Sequence, residues 1–246
     1  MKSFNFEIRD KSIKLFKNVI PLTGTHDYYK SFDLLLDVIW AVLHTDDKKY
    51  LELVENGSNL EKKLSEIFAL MIMEYCYEEN FQDILGSIYQ EFCYKKGAGQ
   101  YFTPQNVSDM MAQMIHGDEI SKPLPTDRKL KILDPCCGSG VMLLSFKKVV
   151  AHHHGVLAIN NFEYYGIDID ITCVKMCRIQ MLMSDPDYMK WFLLYWMSLM
   201  RQRQGLGSKE EVIKMKGFKP FVKNNVSVKN SENRKGFKPF KGNIIL

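Results

Sequence analysis

The sequence predicts an α/β fold: a helical N-terminal domain, then the first half of a wound parallel sheet, then a basic tail. Three observations carry this. Between Ser31 and Phe92, apolar residues recur at helical spacing in three successive stripes. Lys131-Ile132-Leu133-Asp134-Pro135-Cys136-Cys137-Gly138-Ser139-Gly140 is a short apolar run that meets an acid, a proline and two closely spaced glycines, and a helical pattern follows. Tyr164-Tyr165-Gly166-Ile167-Asp168 reads as a second strand ending in a carboxylate, far enough downstream for the crossover helix of a βαβ unit.

The composition bounds the class. A chain of 246 residues with 46% hydrophobic content can bury one core, or one core with a small helical domain. The six cysteines show no C-x-x-C spacing and no charged-then-apolar leader opens the chain, so the reading is a cytoplasmic protein with free thiols. Trp191 to Met200 is the longest apolar run; it is too short to span a bilayer, and no membrane role is implied. The formal charge of +4 is uneven: twelve Lys or Arg and three Glu after Met200 give +9, which leaves −5 for the first 200 residues.

In chain order, residues 1–30 support only a short helix before Pro21. The first stripe, Leu34, Leu35, Val38, Ile39, Val42 and Leu43, has Asp33 and Asp37 on the opposite face. The second follows a capping-box pattern, Ser58 with Glu61, and runs through Leu64, Ile67, Phe68, Met71 and Tyr75. The third begins near Asn80, has Asp83 three residues on, and carries Phe81, Ile84, Leu85, Ile88, Tyr89 and Phe92. Such a bundle is either a partner or DNA surface, or a domain packing on itself and its neighbour.

Lys95 to Gly99 is a loop, after which Thr103 is a natural N-cap and Pro104 a first helical residue ahead of Val107, Met110, Met111, Met114 and Ile115. A proline-containing loop at 117–128 leads to the first strand. Gly138 and Gly140 then leave no Cβ between a ligand and the backbone, and the first turn of the next helix points its N–H groups the same way. Asp168 at a strand end can accept hydrogen bonds from two ribose hydroxyls. Cys136 and Cys137 are read as small packing residues and His152 to His154 as a polar helix end, so no metal is assigned. Asp170 or Thr172 caps the next helix.

With Gln100-Tyr101-Phe102-Thr103-Pro104 just upstream of the turn, the chain resembles the adenine-N6 DNA methyltransferases of the type I restriction-modification modification-subunit kind over about residues 80–183. In that family an F-T-P segment, a D-P-x-x-G-[ST]-G turn and a G-x-[DE]-I strand end hold S-adenosylmethionine. The resemblance implies a helical domain at 1–99, a partial Rossmann-like S-adenosylmethionine-dependent methyltransferase domain at 100–204 and a basic tail at 205–246. It implies that Gln100, Tyr101, Phe102, Thr103, Pro104 and Gln105 lie at the methionine end of the cofactor. Asp134, Pro135, Gly138, Ser139 and Gly140 form the turn beneath it, Asp168 takes the ribose, and Ile169 lies against the adenine ring. DNA is the implied substrate, and a second subunit the implied source of further sheet or of target recognition.

The family's catalytic N/D-P-P-Y/F motif is missing, since no Pro-Pro dipeptide occurs, and the chain reads as truncated before it. Asp185-Pro186-Asp187-Tyr188 comes nearest, but only 16 residues separate Asp168 from Asp185. Ser184-Asp185-Pro186 is also a helix opening ahead of Trp191, Leu194, Tyr195 and Met197. No catalytic residue is therefore assigned, and an inactive cofactor- or DNA-binding fragment is the alternative to an enzyme. Beyond Met200 no run of strand character is read before Asn243-Ile244-Ile245-Leu246. The repeated Lys-Gly-Phe-Lys-Pro-Phe at 216–221 and 235–240 is either a linker or a nucleic-acid grip.

Overall fold

The computed structural model describes residues 4–23, 27–54, 59–77, 81–93, 102–125, 127–203, 226–230 and 244–245. Among the described residues the N-terminal part holds five α-helices: α1 (Phe4–Val19), α2 (Tyr28–Leu43), α3 (Asp47–Leu53), α4 (Asn59–Ile72) and α5 (Ile84–Phe92). α2, α3 and α5 each begin at an aspartate whose side chain takes an orphan N–H. Asp27 accepts from Tyr29 N at 2.9 Å to start α2, and Asp46 from Lys49 N at 3.0 Å to start α3. The stripes meet in one core in which Phe16 meets Phe32 edge-on at 5.8 Å. Leu35, Ile39, Ile67, Met71 and Ile88 are fully enclosed there, each contributing about 1.5–3 kcal/mol by leaving water.

One helix start differs from the sequence reading, and the cap of another is not described. Ser58 lies outside the described residues, and Glu61 accepts from the Tyr50 hydroxyl at 2.8 Å. The third stripe starts at Ile84, because Asp83 is its N-cap and accepts from Gly86 N at 2.8 Å.

α6 (Gln105–Ile120) starts one residue later than expected, with Pro104 at the cap position in extended backbone (φ −60°, ψ 141°). Proline also bars Thr103 before it from helical geometry. The packed face of α6 is Ser108, Ala112, His116 and Ile120, while Met114 is 77% exposed. The apolar positions that mark this helix in the sequence therefore point away from its neighbour. Small residues win because α6 lies close on α7 (Val141–His154), where the Ser108 and Ser145 hydroxyls are 2.8 Å apart.

Among the described residues four parallel strands, β1 (Leu130–Asp134), β2 (Phe162–Asp168), β3 (Val226–Asn230) and β4 (Ile244–Ile245), lie in the order β3-β2-β1-β4. β3 corrects the sequence reading, which finds no strand in this stretch. Val226-Ser227-Val228 alternates too briefly among lysines and asparagines to stand out; pairing with β2 from Tyr164 to Asp168 makes it a strand. Both copies of the Lys-Gly-Phe-Lys-Pro-Phe repeat, and Leu246, lie outside the described residues.

α7 returns the chain from β1 to β2, and α8 (Ile171–Met183), capped by Asp170 through Thr172 N at 2.8 Å, packs on β2 and β3. α9 (Pro186–Arg203) begins at Asp185, whose carboxylate accepts from Tyr188 N at 2.9 Å while the Tyr188 hydroxyl donates to the Leu43 carbonyl. Asp185 and Tyr188 are both buried, so the nearest approach to a catalytic motif is spent on a helix cap and a core anchor. Beside it, the enclosed Lys147 donates to Ser184 Oγ at 2.7 Å and to the Met181 carbonyl at 3.1 Å, and burial pushes its ammonium down to about 8. Among the described residues no helix is long and apolar enough to cross a membrane.

Candidate cofactor-binding site

The glycine turn sits where β1 and β2 end side by side, Asp134 opposite Gly166. Gly138 (φ 52°) and Gly140 (φ 98°) are both left-handed, a conformation that side chains with a Cβ resist. Gly140 has a second constraint, since a Cβ there would stand 2.9 Å from Cys177 Sγ on α8. The turn closes with Gly140 N donating to the Cys137 carbonyl at 2.7 Å and is tied to β2 by Cys137 N donating to the Ile167 carbonyl at 2.9 Å.

Asp168 belongs to the same unit. Its Oδ2 accepts from Gly138 N at 2.8 Å and its Oδ1 from Asp170 N at 2.9 Å. A carboxylate offers about four lone-pair sites, so each oxygen can accept once more. Ile169, next along, stands out of the strand end 69% exposed.

Asp134 is 6% exposed and accepts from Cys136 N at 3.1 Å. Burial pushes its carboxyl up to about 6 against the helping N–H of Cys136, and the charge of Asp168 adds to the rise. A folded-state value above the ordinary 3.8 means that the native chain holds this proton more tightly than the unfolded one. The associated stability is complete below about pH 4 and is lost as pH rises through about 6. Asp134→Asn is therefore expected to raise the unfolding free energy by about 1–3 kcal/mol at pH 7 and to change it little at pH 4. Urea titrations at the two pH values test this; an equal change at both would remove Asp134 as the source.

The upstream segment forms the facing wall. The Phe102 ring lies over the turn, 3.7 Å from where a Gly138 Cβ would be, and leans on Tyr89 of α5 at 5.4 Å between centroids. Thr103 is half-buried and Pro104 exposed; Gln100 and Tyr101 lie outside the described residues. Gln105 turns inward, accepting from Asp83 N at 2.8 Å and donating to Asp109 Oδ1 at 2.7 Å. Pro135 is exposed, whereas the Ser139 side chain is enclosed and its hydroxyl donates to Asp83. Asp83 is absent from the residues that the motifs single out. The available signal was Asp83-Ile84-Leu85-Gly86, a helix cap followed by a glycine with no helical reason to be there. Among the described residues no cluster of His, Cys, Asp or Glu could hold a metal ion.

A strand–glycine turn–helix unit with an acid at the neighbouring strand end places this chain in the α/β class, its turn at the carboxyl edge of the parallel sheet. The family model for N-6 DNA methylases matches residues 80–229, and the chain belongs to that family. The match covers α5 and most of β3 as well as the turn. Among curated relatives, the type I restriction enzyme MpnII methylase subunit of Mycoplasma pneumoniae is 30% identical over 136 residues, 52% of this chain and 22% of that protein. The type I restriction enzyme HindI methylase subunit of Haemophilus influenzae is 28% identical over 113 residues, 44% of this chain and 23% of that protein. The type II methyltransferase M.BanIII of Aneurinibacillus aneurinilyticus is 30% identical over 81 residues, 33% of this chain and 13% of that protein. These alignments span less than a quarter of each relative's length. No solved structure matches the chain.

Proposed function

We propose that this chain is the S-adenosylmethionine-holding part of a site-specific DNA adenine-N6 methyltransferase of the restriction-modification type, acting in the cytoplasm with a second subunit or further polypeptide. The observation that carries the reading is the Gly138-to-Asp168 bridge, which makes the glycine turn and the ribose-type acid one rigid unit. The strand order supports it, because β3-β2-β1-β4 matches the first four strands of a Rossmann-like sheet, whose switch point between β1 and β4 adjoins the turn. The names of the relatives supply the substrate class. On this reading residues 1–99 are the helical domain, 100–204 the cofactor part and 205–246 the basic tail, which contributes β3 and β4 to the sheet.

The residues present fit the cofactor. Asp168 has lone pairs left for two ribose hydroxyls, and exposed Ile169 offers an apolar platform for a purine. Asp134 and Asp168 together make a negative field that a cationic ligand relieves. Phe102 walls the turn on its other side, with Thr103 and Pro104 next along the chain. Bound S-adenosylmethionine supplies a methyl sulfonium, the electrophile for an adenine amine. On this reading the acceptors for the amine protons come from elsewhere than Asp185 and Tyr188, because both are buried and no Pro-Pro occurs in these 246 residues.

Calorimetric titration with S-adenosylmethionine tests the reading. The full chain is expected to bind, and Asp168→Ala to bind about 10–100-fold more weakly, the loss of charge-assisted hydrogen bonds. Labelled methyl is not expected to reach unmethylated DNA with this chain alone. Equal affinity in parent and variant would remove Asp168 from the site, and label on adenine N6 would show a catalytic group among these residues.

A further inference from the structure

The buried polar cluster behind the turn is not accounted for by ligand binding. Asp83 is buried, and both of its carboxylate oxygens are engaged. Oδ1 accepts from Gly86 N and from Gln180 Nε2, each at 2.8 Å, while Oδ2 accepts from the Ser139 hydroxyl. Its own N–H donates to Gln105 Oε1 at 2.8 Å. Gln180, in the middle of α8, is also saturated. Nε2 donates a second bond to the Ser139 carbonyl at 2.8 Å, and Oε1 accepts from Leu85 N at 3.0 Å and lies 2.8 Å from the Tyr75 hydroxyl. With two acceptors on one side and two donors on the other, only one orientation of the amide satisfies the site.

Gly86 makes this arrangement possible. A Cβ there would overlap the Asp83 carboxylate, standing 2.5 Å from its Cγ, and the carboxylate cannot retreat without leaving Ser139 and Gln180. The chain enters the cap through Phe81, a non-glycine residue at φ 55° whose ring is fully enclosed. Left-handed backbone at such a residue costs about 1–2 kcal/mol, and the packed ring holds it in place.

We propose that Asp83 is a positioning residue for the cofactor turn: braced by Gln180 and given room by Gly86, its carboxylate fixes Ser139 while its N–H fixes Gln105. One residue of the helical domain thereby sets the spacing between the two walls of the site. The inference rests on the cofactor reading given above and extends it, making the helical domain part of the binding site. A buried network in which all members are satisfied is rigid and specific in geometry, which is what a wall-to-wall spacing needs.

The test compares Asp83→Ala and Gly86→Ala with Ile67→Ala, a core truncation on α4 away from the network, in the full chain. Urea conditions are chosen so that the three variants have equal global stability. S-adenosylmethionine affinity is read by calorimetry, and amide exchange of residues 136–143 by mass spectrometry. The expected result is a loss of affinity of at least tenfold and a tenfold faster exchange of the turn in both network variants, with neither change in Ile67→Ala. Asp83→Asn, which keeps the shape and can still pair with Gly86 N and Ser139, is expected to recover most of the protection. If Ile67→Ala loosens the turn as much at matched stability, Asp83 is merely structural and the proposal is overturned. If the parent binds no S-adenosylmethionine, the cofactor reading fails while the exchange measurement still decides the role of Asp83.

Discussion

Gly140→Ala is expected to cost about 2–5 kcal/mol of stability and more than tenfold in affinity for the proposed cofactor. Two separate penalties act at this position. Left-handed backbone at φ 98° costs an alanine about 1–2 kcal/mol. The added Cβ also stands 2.9 Å from Cys177 Sγ and 3.4 Å from Cys177 Cα, and overpacking of this kind costs about 1–3 kcal/mol. Because Cys177 is enclosed on α8, relief has to come from the turn, which carries Gly138 N away from Asp168. Urea denaturation and calorimetric titration measure the two losses. The double variant Gly140→Ala/Cys177→Ala separates their causes, recovering the steric share and leaving the conformational one. A single variant within 1 kcal/mol of the parent would mean that the turn does not have this conformation.

Deleting residues 205–246 is expected to abolish cooperative unfolding. The deletion removes β3 from one edge of the sheet and β4 from the other, leaving β1 and β2 as an isolated pair. A two-stranded sheet is marginal by itself. The five β2 residues from Tyr164 to Asp168 lose their partners in β3, about 3–5 kcal/mol at roughly 1 kcal/mol per bond, against a total of about 5–15 kcal/mol for a domain. Asp168 lies within that stretch, so the proposed cofactor site goes with the sheet. Circular dichroism on heating and dye binding to exposed apolar surface read the outcome. An unchanged transition would return the segment to the status of a linker, the other reading its basic, weakly periodic sequence allows.

The parts of this protein legible in its sequence are those settled within a few residues. An apolar run ending in Asp134, two glycines that release the backbone, a second run ending in Asp168 and the acid-capped starts of α8 and α9 are all decided by neighbours in the chain. So is the helical stripe that puts Leu35 and Ile39 in the core. The family resemblance rests on the same local patterns, and the family match contains them.

What the sequence left open depends on residues far apart in the chain. The sequence sets Asp83 three residues into a helix beginning near Asn80, and only the fold makes it the cap and brings Ser139 and Gln180 to its carboxylate. Val226 to Asn230 has too short a pattern to show as a strand, and the free edge of β2 makes it one. The apolar positions of α6 mark a helix without choosing its packed face. That choice falls to the close approach of α7, where two serines and an alanine fit and methionines do not. By itself the sequence determined where the chain turns and which backbone positions must be bare, because those are local steric facts. Which side chains brace the site, which strand closes the sheet and which helix face is buried were decided by tertiary structure, because each needs a partner that chain neighbours cannot supply.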